Sequence, residues 1–233
     1  RSTTATFGTQ FGALERPTHA NTSWDEARFE VPGHAWMDLS EPGFGVAVLD
    51  DGKYGRSARG NVLGLSLLRS PEFPEPGADR GEQVMHYAVM PHGGDWRGDG
   101  VDAEAEAFRE PLRAHRLEAG RRGRSRGDAR PSLAPFRLDV PQQCGVQVAA
   151  WKPAEDDRGR ILRLVEVRGG RGSIAVRWGG PVGRVEPVDL LERPFAKRGD
   201  RRRPEAFEHD AKLGRTMLTL RPFQIVTLRV GDA

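Results

Sequence analysis

Apolar residues recur along this chain in short bursts with a period of two, which is the repeat of a β-strand. Phe44, Val46 and Val48 set one such burst, and leucines repeat the pattern within residues 63–68. Between the two bursts lies the polar loop 50–56, which holds two carboxylates, two cations, a phenol and two glycines. The pattern predicts a hairpin in which this loop joins two apolar strands.

The polar loop has two interpretations. A polar loop held between apolar strands is a good platform for binding a ligand. A solvated hairpin tip would have the same composition. Asp50 and Asp51 are adjacent, and neighbours on a strand point to opposite faces, so they form a poor facing pair of carboxyls. The residues alone leave both interpretations open.

Further alternating segments extend the strand pattern over most of the chain. The first half shows them at 5–11 and 82–92. In the second half they are predicted at 146–152, 161–167, 173–178, 184–189, 216–220 and 224–230. Many short strands separated by glycine and proline turns predict an all-β protein, with a small antiparallel sandwich in the second half. Residues 193–213 are expected to form a long excursion within that sandwich.

One segment favours a helix, and one favours a linker. Residues 102–119 form the helical candidate, in which Asp102 would cap 103–109 and Pro111 would break that helix or begin a second. Residues 120–135 are rich in Arg, Gly, Ser and Pro, which is typical of a linker. We therefore expect a first domain at 1–119, a linker at 120–135 and a second domain at 136–233.

Composition narrows the setting of the protein. No run of about 18 apolar residues is present, so we expect no membrane span. We also expect no signal peptide, because the chain shows no charged and then apolar leader. The lone Cys144 is expected in the core and fits a reducing compartment, which favours a cytoplasmic location.

Positive charge is concentrated in two runs, 121–126 and 197–203, although the formal net charge is only +3. Neither run is interleaved with the aromatic residues that stack on bases. Solvated loops explain the runs better than a nucleic-acid site does. We therefore expect no nucleic-acid partner.

The chain lacks the patterns of a complete active site. Its six histidines show neither HxxxH nor HxH spacing, and no GxSxG, Walker or CxxC motif is present. We therefore predict no catalytic residue, no metal site and no cofactor site within this chain. His34 and Trp36 share one face of an extended segment, where Trp36 either stacks on a sugar ring or is buried in a sheet corner.

A series of motifs runs through the chain in a fixed order. They include Arg16-Pro17-Thr18-His19, Asn21-Thr22-Ser23-Trp24-Asp25, Asp38-Leu39-Ser40, Lys53-Tyr54-Gly55, Arg59-Gly60-Asn61-Val62-Leu63, Gly94-Asp95-Trp96, Lys152-Pro153-Ala154-Glu155-Asp156, Asp189-Leu190-Leu191-Glu192 and Leu220-Arg221-Pro222-Phe223. Together they resemble the C-terminal β region of the α-mannosidases of glycoside hydrolase family 38. The resemblance covers nearly the whole chain.

This resemblance implies an architecture and an activity. The family hydrolyses α-mannosides with retention, and its N-terminal barrel carries zinc, an Asp nucleophile and an acid/base carboxylate. A large β-supersandwich of the galactose-mutarotase-like kind and a small β-sandwich follow that barrel. By resemblance, residues 1–119 belong to the supersandwich and residues 136–233 to the small sandwich. The zinc and the nucleophile would then lie in an N-terminal catalytic part outside this chain, which would be its partner.

The resemblance also implies substrate contacts, because the family's β region lends polar groups to the catalytic pocket. The candidates are Asp51, Lys53, Tyr54 and Gly55, with Lys53 on a sugar hydroxyl or an active-site carboxylate and Tyr54 offering its ring and hydroxyl. Asp51 would accept from sugar hydroxyls or hold Lys53. Where the family usually has Asn-Asp before this loop, this chain has Asp50-Asp51. The alternative is that the chain is a stand-alone carbohydrate-binding β module. If it is instead a truncated portion of the mannosidase, we expect it to pair with itself or to aggregate.

Overall fold

A computed structural model describes residues 2–114, 134–196 and 199–231. The chain divides into two compact units, residues 1–116 and residues 117–233. Most of the predicted linker, residues 120–133, lies outside the described residues. Neither described helix has the length and apolar character needed to cross a membrane.

The described residues of the first unit form eight strands and two helices. They are β1 (Thr4–Thr9), β2 (Gly12–Pro17), α1 (Ser23–Glu26), β3 (Val31–Pro32), β4 (Trp36–Glu41), β5 (Phe44–Asp50), β6 (Gly55–Arg59), β7 (Val62–Leu65), β8 (Tyr87–His92) and α2 (Val101–Arg109). A five-stranded antiparallel sheet has the order β2-β1-β4-β5-β8, and a second sheet has the order β3-β6-β7. Pro17 lies on the edge strand β2, where proline removes no ladder hydrogen bond.

The five-stranded sheet is covered on both faces. Ala5, Phe7 and Met37 are buried on one face, against apolar residues of the three-stranded sheet. Helix α2 covers the other face, where Val101 and Ala105 pack in a cluster with residues of β4 and β5. Successive residues of these strands therefore point into two different apolar layers, one on each face of the sheet. They do not point alternately into a core and into solvent.

The predicted hairpin between 44–49 and 63–68 is wrong. Strand β5 pairs with β4 and β8, whereas β7 pairs with β6 in the other sheet. The chain turns tightly at Gly60-Asn61, and Gly60 has φ +59°, a left-handed conformation that glycine adopts without strain. The polar residues 51–54 therefore carry the chain from one sheet to the other.

The predicted helix 103–109 is correct in place and at its C-terminal end, Arg109, but wrong at its N-terminal end. Helix α2 starts at Val101 after Gly100, an N-cap residue with φ +70° and no side-chain cap bond. Asp102 is not the cap, because it lies within the first turn and is buried. The helix stops before Pro111, since the residue before a proline disfavours the helical conformation. Residues 115–119 lie outside the described residues.

In the second unit, residues 134–196 and 199–231 form two four-stranded antiparallel sheets, ordered β10-β11-β16-β13 and β14-β15-β12-β9. Their strands are β9 (Phe136–Asp139), β10 (Val146–Pro153), β11 (Arg160–Glu166), β12 (Gly172–Trp178), β13 (Val185–Val188), β14 (Phe207–Asp210), β15 (Arg215–Leu220) and β16 (Ile225–Val230). Alternate residues of both sheets, such as Leu164, Ile174, Leu218 and Leu228, share one buried cluster. The predicted all-β class and the small sandwich are confirmed.

Two details of the second unit bear on the predictions. The excursion 193–213 contains β14, which pairs with β15 and was missed because its central residues, Glu208 and His209, are polar. Cys144 is buried as predicted, and this burial raises the pKa of its thiol.

Candidate functional site

The loop between the two sheets begins at Asp50, the last residue of β5. Its side chain is fully buried. One carboxylate oxygen, Oδ1, accepts hydrogen bonds from the backbone N–H groups of Gly52 at 3.1 Å and Lys53 at 2.6 Å. A carboxylate that accepts from the residues just after it fixes a tight turn. Asp50 therefore fixes the backbone conformation of the loop from its buried side.

Arg56, the second residue of β6, anchors the other end of the loop. Its guanidinium is fully buried, forms an ion pair with Asp50 through Nη2, and donates from the same nitrogen to the carbonyl of Lys53 at 3.1 Å. Its Nε and Nη1 have no hydrogen-bond partner among the described residues. Burial lowers the pKa of Arg56, and the charge of Asp50 opposes this effect.

Gly33 makes room for this buried arginine. A Cβ atom at position 33 would lie 2.3 Å from Cδ of Arg56, which is closer than any side chain tolerates. The backbone N–H of Gly33 also donates to the carbonyl of Tyr54 at 2.9 Å. The segment before β4 therefore supports the loop from a third side.

Asp51 points away from this buried pair, as predicted for neighbours on a strand. Its carboxylate lies 2.7 Å from Nδ1 of His86 at the surface. The hydrogen bond from His86 lowers the pKa of Asp51 below its ordinary value of 3.8, although burial opposes this shift. Asp51 therefore braces the residues before β8 and not the ammonium of Lys53.

We expect the Asp51 carboxyl to titrate below pH 3.8 in the folded protein. Because the folded pKa is depressed, its contribution to stability is present above the unfolded pKa and is lost as the pH falls through the folded pKa. Carbon NMR of the carboxyl resonance measures this midpoint. In the His86→Ala variant the midpoint should rise towards 3.8, and an unchanged midpoint would contradict the assignment of the shift to His86.

The groups at the top of the loop remain available. Neither the ammonium of Lys53 nor the hydroxyl of Tyr54 has a hydrogen bond or ion pair within the described part of the chain, and Tyr54 is 56% exposed. The ring of His34 lies 5.8 Å from the ring of Tyr54. Burial, followed by the charges of Arg109 and Arg56, lowers the pKa of His34. A neutral imidazole with both a donor and an acceptor therefore lies beside the phenol.

Trp36 is not part of this surface. It is only 5% exposed, and its ring packs against that of Trp96 with centroids 4.7 Å apart. The buried interpretation of Trp36 is therefore correct, and stacking on a sugar is excluded. Sequence reasoning counted Arg56 only as one of the two cations of the polar loop and so missed its buried role.

Lys53, Tyr54 and the neighbouring His34 place a cation, a phenol and an imidazole above a rigid base, without a facing pair of carboxyls. Among the described residues, no group of three or more His, Cys, Asp or Glu side chains is arranged to hold a metal ion. Such a surface can bind and orient a hydroxylated or anionic ligand, but it cannot by itself break a glycosidic bond.

The basic runs lie in the second unit. Residues 121–126 fall outside the described residues, as do 197 and 198. In the remainder of the second run, Asp200 forms an ion pair with Arg202 at 2.6 Å, and the hydrogen bonds from Arg202 lower the pKa of Asp200 to about 2. The cations described there are thus partly neutralised by their own loop.

Comparisons with known families cover both units. The model described as "Glycosyl hydrolases family 38 C-terminal domain" matches residues 1–77. The model described as "Glycosyl hydrolases family 38 C-terminal beta sandwich domain" matches residues 145–228.

Relatives include the human protein Alpha-mannosidase 2C1, which is 41% identical over 98% of this chain and 20% of its own length. The Saccharomyces cerevisiae Alpha-mannosidase is 34% identical over 99% of this chain and 21% of its own length. Alpha-mannosidase G of Dictyostelium discoideum is 52% identical over 45% of this chain and 10% of its own. The chain thus spans about a fifth of the length of the human and yeast relatives.

A solved structure of a glycosyl hydrolase family 38 protein from Enterococcus faecalis has the same fold. The two superpose with a TM-score of 0.71 at 18% identity, over 98% of this chain and 25% of that protein. Together with the two family models and the curated relatives, this fold similarity decides the classification. The chain belongs to glycoside hydrolase family 38, as part of the C-terminal β region of its α-mannosidases.

Proposed function

We propose that this chain completes a retaining α-mannosidase by supplying scaffold and substrate contacts to an N-terminal catalytic part. The loop 51–54 carries this proposal, because Lys53 and Tyr54 present free polar groups above a fully buried ion pair. A rigid base of this kind holds side chains in one geometry, which is what a substrate-positioning site requires. The relatives named as α-mannosidases support mannosides as the substrate class.

In this proposal the chemical step belongs to the N-terminal part. The described residues offer no cluster that fits zinc, so the zinc implied by the family is assigned to that part. This chain would contribute a hydrogen bond from Lys53 and one from Tyr54 to sugar hydroxyls. The lone buried Cys144 supports a reducing compartment such as the cytoplasm.

We expect Lys53→Ala and Tyr54→Phe to lower kcat/KM of the complete enzyme on an aryl α-mannoside by roughly 10- to 100-fold each. This range corresponds to the loss of one charge-assisted or buried hydrogen bond to substrate. The chain offers matched controls in Lys212→Ala and in Tyr87→Phe, since Tyr87 is 55% exposed against 56% for Tyr54. Both controls should stay within about twofold of the wild type, and loop variants that hydrolyse substrate normally would reduce the loop to a turn.

The partner is supported by an exposed apolar part of the five-stranded sheet, beyond the area that the three-stranded sheet and helix α2 cover. Phe44 and Val89 are 53% and 62% exposed, and a hollow of about 590 Å³ lies among Leu39, Val46 and Leu63. Contiguous apolar surface of this kind marks an interaction site. We assign its cover to the N-terminal part of the same enzyme, since the relatives are about five times longer than the matched segment.

We expect Phe44→Glu to prevent this chain from associating with a separately produced N-terminal catalytic part. A charge in the centre of an apolar contact leaves an unpaired, desolvated group. Size-exclusion chromatography and turnover of an aryl α-mannoside measure association and activity together. Leu213→Glu, on an exposed side chain of the second unit, is the control and should associate normally. A monodisperse chain that binds mannose without the N-terminal part would instead support a stand-alone carbohydrate-binding module.

A further inference from the structure

A cleft of about 420 Å³ opens beside Tyr54, between the segment before β3 and the residues that follow β7. Its polar lining comes from Glu30, Tyr54, Ser66 and Arg69, and its apolar lining includes Pro32 and Leu68. This volume lies within the range of small-molecule sites, which combine apolar walls with a few fixed polar groups. None of these polar groups except Tyr54 was selected from the sequence.

Glu30 is the centre of the polar lining. Its Oε1 accepts a hydrogen bond from the hydroxyl of Ser66, and its Oε2 lies 4.0 Å from Nη1 of Arg69. A carboxylate has about four acceptor sites, so these contacts leave part of its capacity for a ligand. Ser66 is itself placed by its backbone N–H, which donates to the carbonyl of Gly55 at 2.9 Å.

Gly55 allows the carboxylate to occupy this position. A Cβ atom there would lie 2.6 Å from Oε1 of Glu30 and 2.9 Å from Cβ of Ser66. The residue after Tyr54 therefore has a defined role, which is to let Glu30 approach the floor of the cleft. The cleft and the loop thus share one backbone segment.

The charges of the cleft select the kind of ligand. Glu30 and Arg69 balance each other, so no net positive charge favours a phosphate or a carboxylate. A carboxylate, a hydroxyl, a guanidinium and a phenol offer both donors and acceptors beside apolar walls. A neutral polyol ring, with hydroxyls on its rim and C–H groups on its faces, matches this combination.

We propose that this cleft binds the sugar unit next to the mannose that Lys53 and Tyr54 contact, with Glu30 accepting hydrogen bonds from its hydroxyls. The inference rests on the proposed function, because Tyr54 borders both the loop surface and the cleft. Glu30 and Ser66 are then specificity-determining residues for longer mannosides. They take no part in bond cleavage.

The test compares two substrates of the complete enzyme. α-Mannosyl fluoride occupies only the site of the first sugar, whereas α-linked mannobioses also reach the second. Glu30→Gln and Ser66→Ala should each raise KM for mannobiose about tenfold, while kcat/KM for the fluoride stays within about twofold. Glu72→Gln, an exposed carboxylate without a hydrogen bond or ion pair in the described part of the chain, is the matched control.

Leu68→Ala gives a second test that leaves the hydrogen bonds of Glu30 intact. It should weaken the binding of mannobiose and leave hydrolysis of the fluoride unaffected, because it removes only an apolar wall of the cleft. Equal losses on both substrates would show that these residues act only through the fold of the loop, and no loss on either would show that the cleft is not a sugar site. If Lys53→Ala and Tyr54→Phe leave both substrates unaffected, the proposed function itself fails, which is a separate outcome.

Discussion

Asp50→Ala is expected to lower the free energy of unfolding of the first unit by roughly 3–5 kcal/mol, the range found when one partner of a buried ion pair is removed. Arg56 would then keep a full charge in the interior with only the carbonyl of Lys53 as acceptor, since its Nε and Nη1 already lack partners among the described residues. Urea titration followed by amide exchange in β4 and β5 measures the loss.

The neighbouring residue provides the control. Asp51→Ala removes a carboxylate of the same type, one position away, whose partner His86 lies at the surface. It should change stability little, because exposed pairs contribute little. The double variant Asp50→Ala with Arg56→Met should be more stable than Asp50→Ala, since the uncompensated charge is gone. Equal losses for Asp50→Ala and Asp51→Ala would contradict the structural role of the buried pair.

The strands themselves could be predicted because burial alternates with a period of two in both units. The predicted bounds of β11, 161–167, differ from the observed ones by one residue at each end, and those of β16, 224–230, differ by one residue at the first end only. These strands pair with neighbours that carry the same alternation, so local pattern and tertiary environment agree. The small sandwich was predictable for that reason.

The exchange between sheets in the first unit could not be predicted in the same way. Alternation states which residues share a face, but it does not state which strand lies alongside. The pattern therefore joined 44–49 to 63–68, whereas a five-residue strand, β6, lies between them and takes the place of 44–49 beside β7. The sequence did contain one indication that Arg56 is buried. Arg56 lies two residues before Ala58 on β6, so both side chains point to the same inward face.

In the candidate site, too, features set by neighbouring residues could be predicted, whereas contacts between residues far apart in the sequence could not. The opposite orientations of Asp50 and Asp51 follow from strand geometry and were expected. The choice of Lys53 and Tyr54 came from the family resemblance and stays a prediction. The support from Gly33 depends on a residue 23 positions before Arg56, whose missing Cβ gives no sequence signal about its neighbour. The cleft around Glu30 and Ser66 likewise joins residues 36 positions apart.

A buried carboxylate also stabilises the second unit, as Asp50 does the first. It belongs to Glu166, which is fully buried at the end of β11. Oε1 accepts from the backbone N–H groups of Gly145 at 3.1 Å and Arg168 at 3.1 Å. Oε2 accepts from those of Gly169 at 2.8 Å and Phe223 at 2.9 Å. One side chain thus joins three separate backbone segments, as the hydrogen-bonding capacity of a carboxylate allows.

Glu166→Ala is expected to destabilise the second unit by at least about 4 kcal/mol, because each buried donor left without a partner costs about 1–3 kcal/mol. Glu166→Gln should lose roughly half as much, since its single carbonyl oxygen still serves one pair of donors. Urea titration with amide exchange at Gly169 and Phe223 measures the effect, and Glu208→Ala on the exposed side of β14 should change it by less than about 0.5 kcal/mol. Should Glu166→Ala match that control, the four backbone donors must be satisfied by water, and the structural role of this carboxylate would be contradicted.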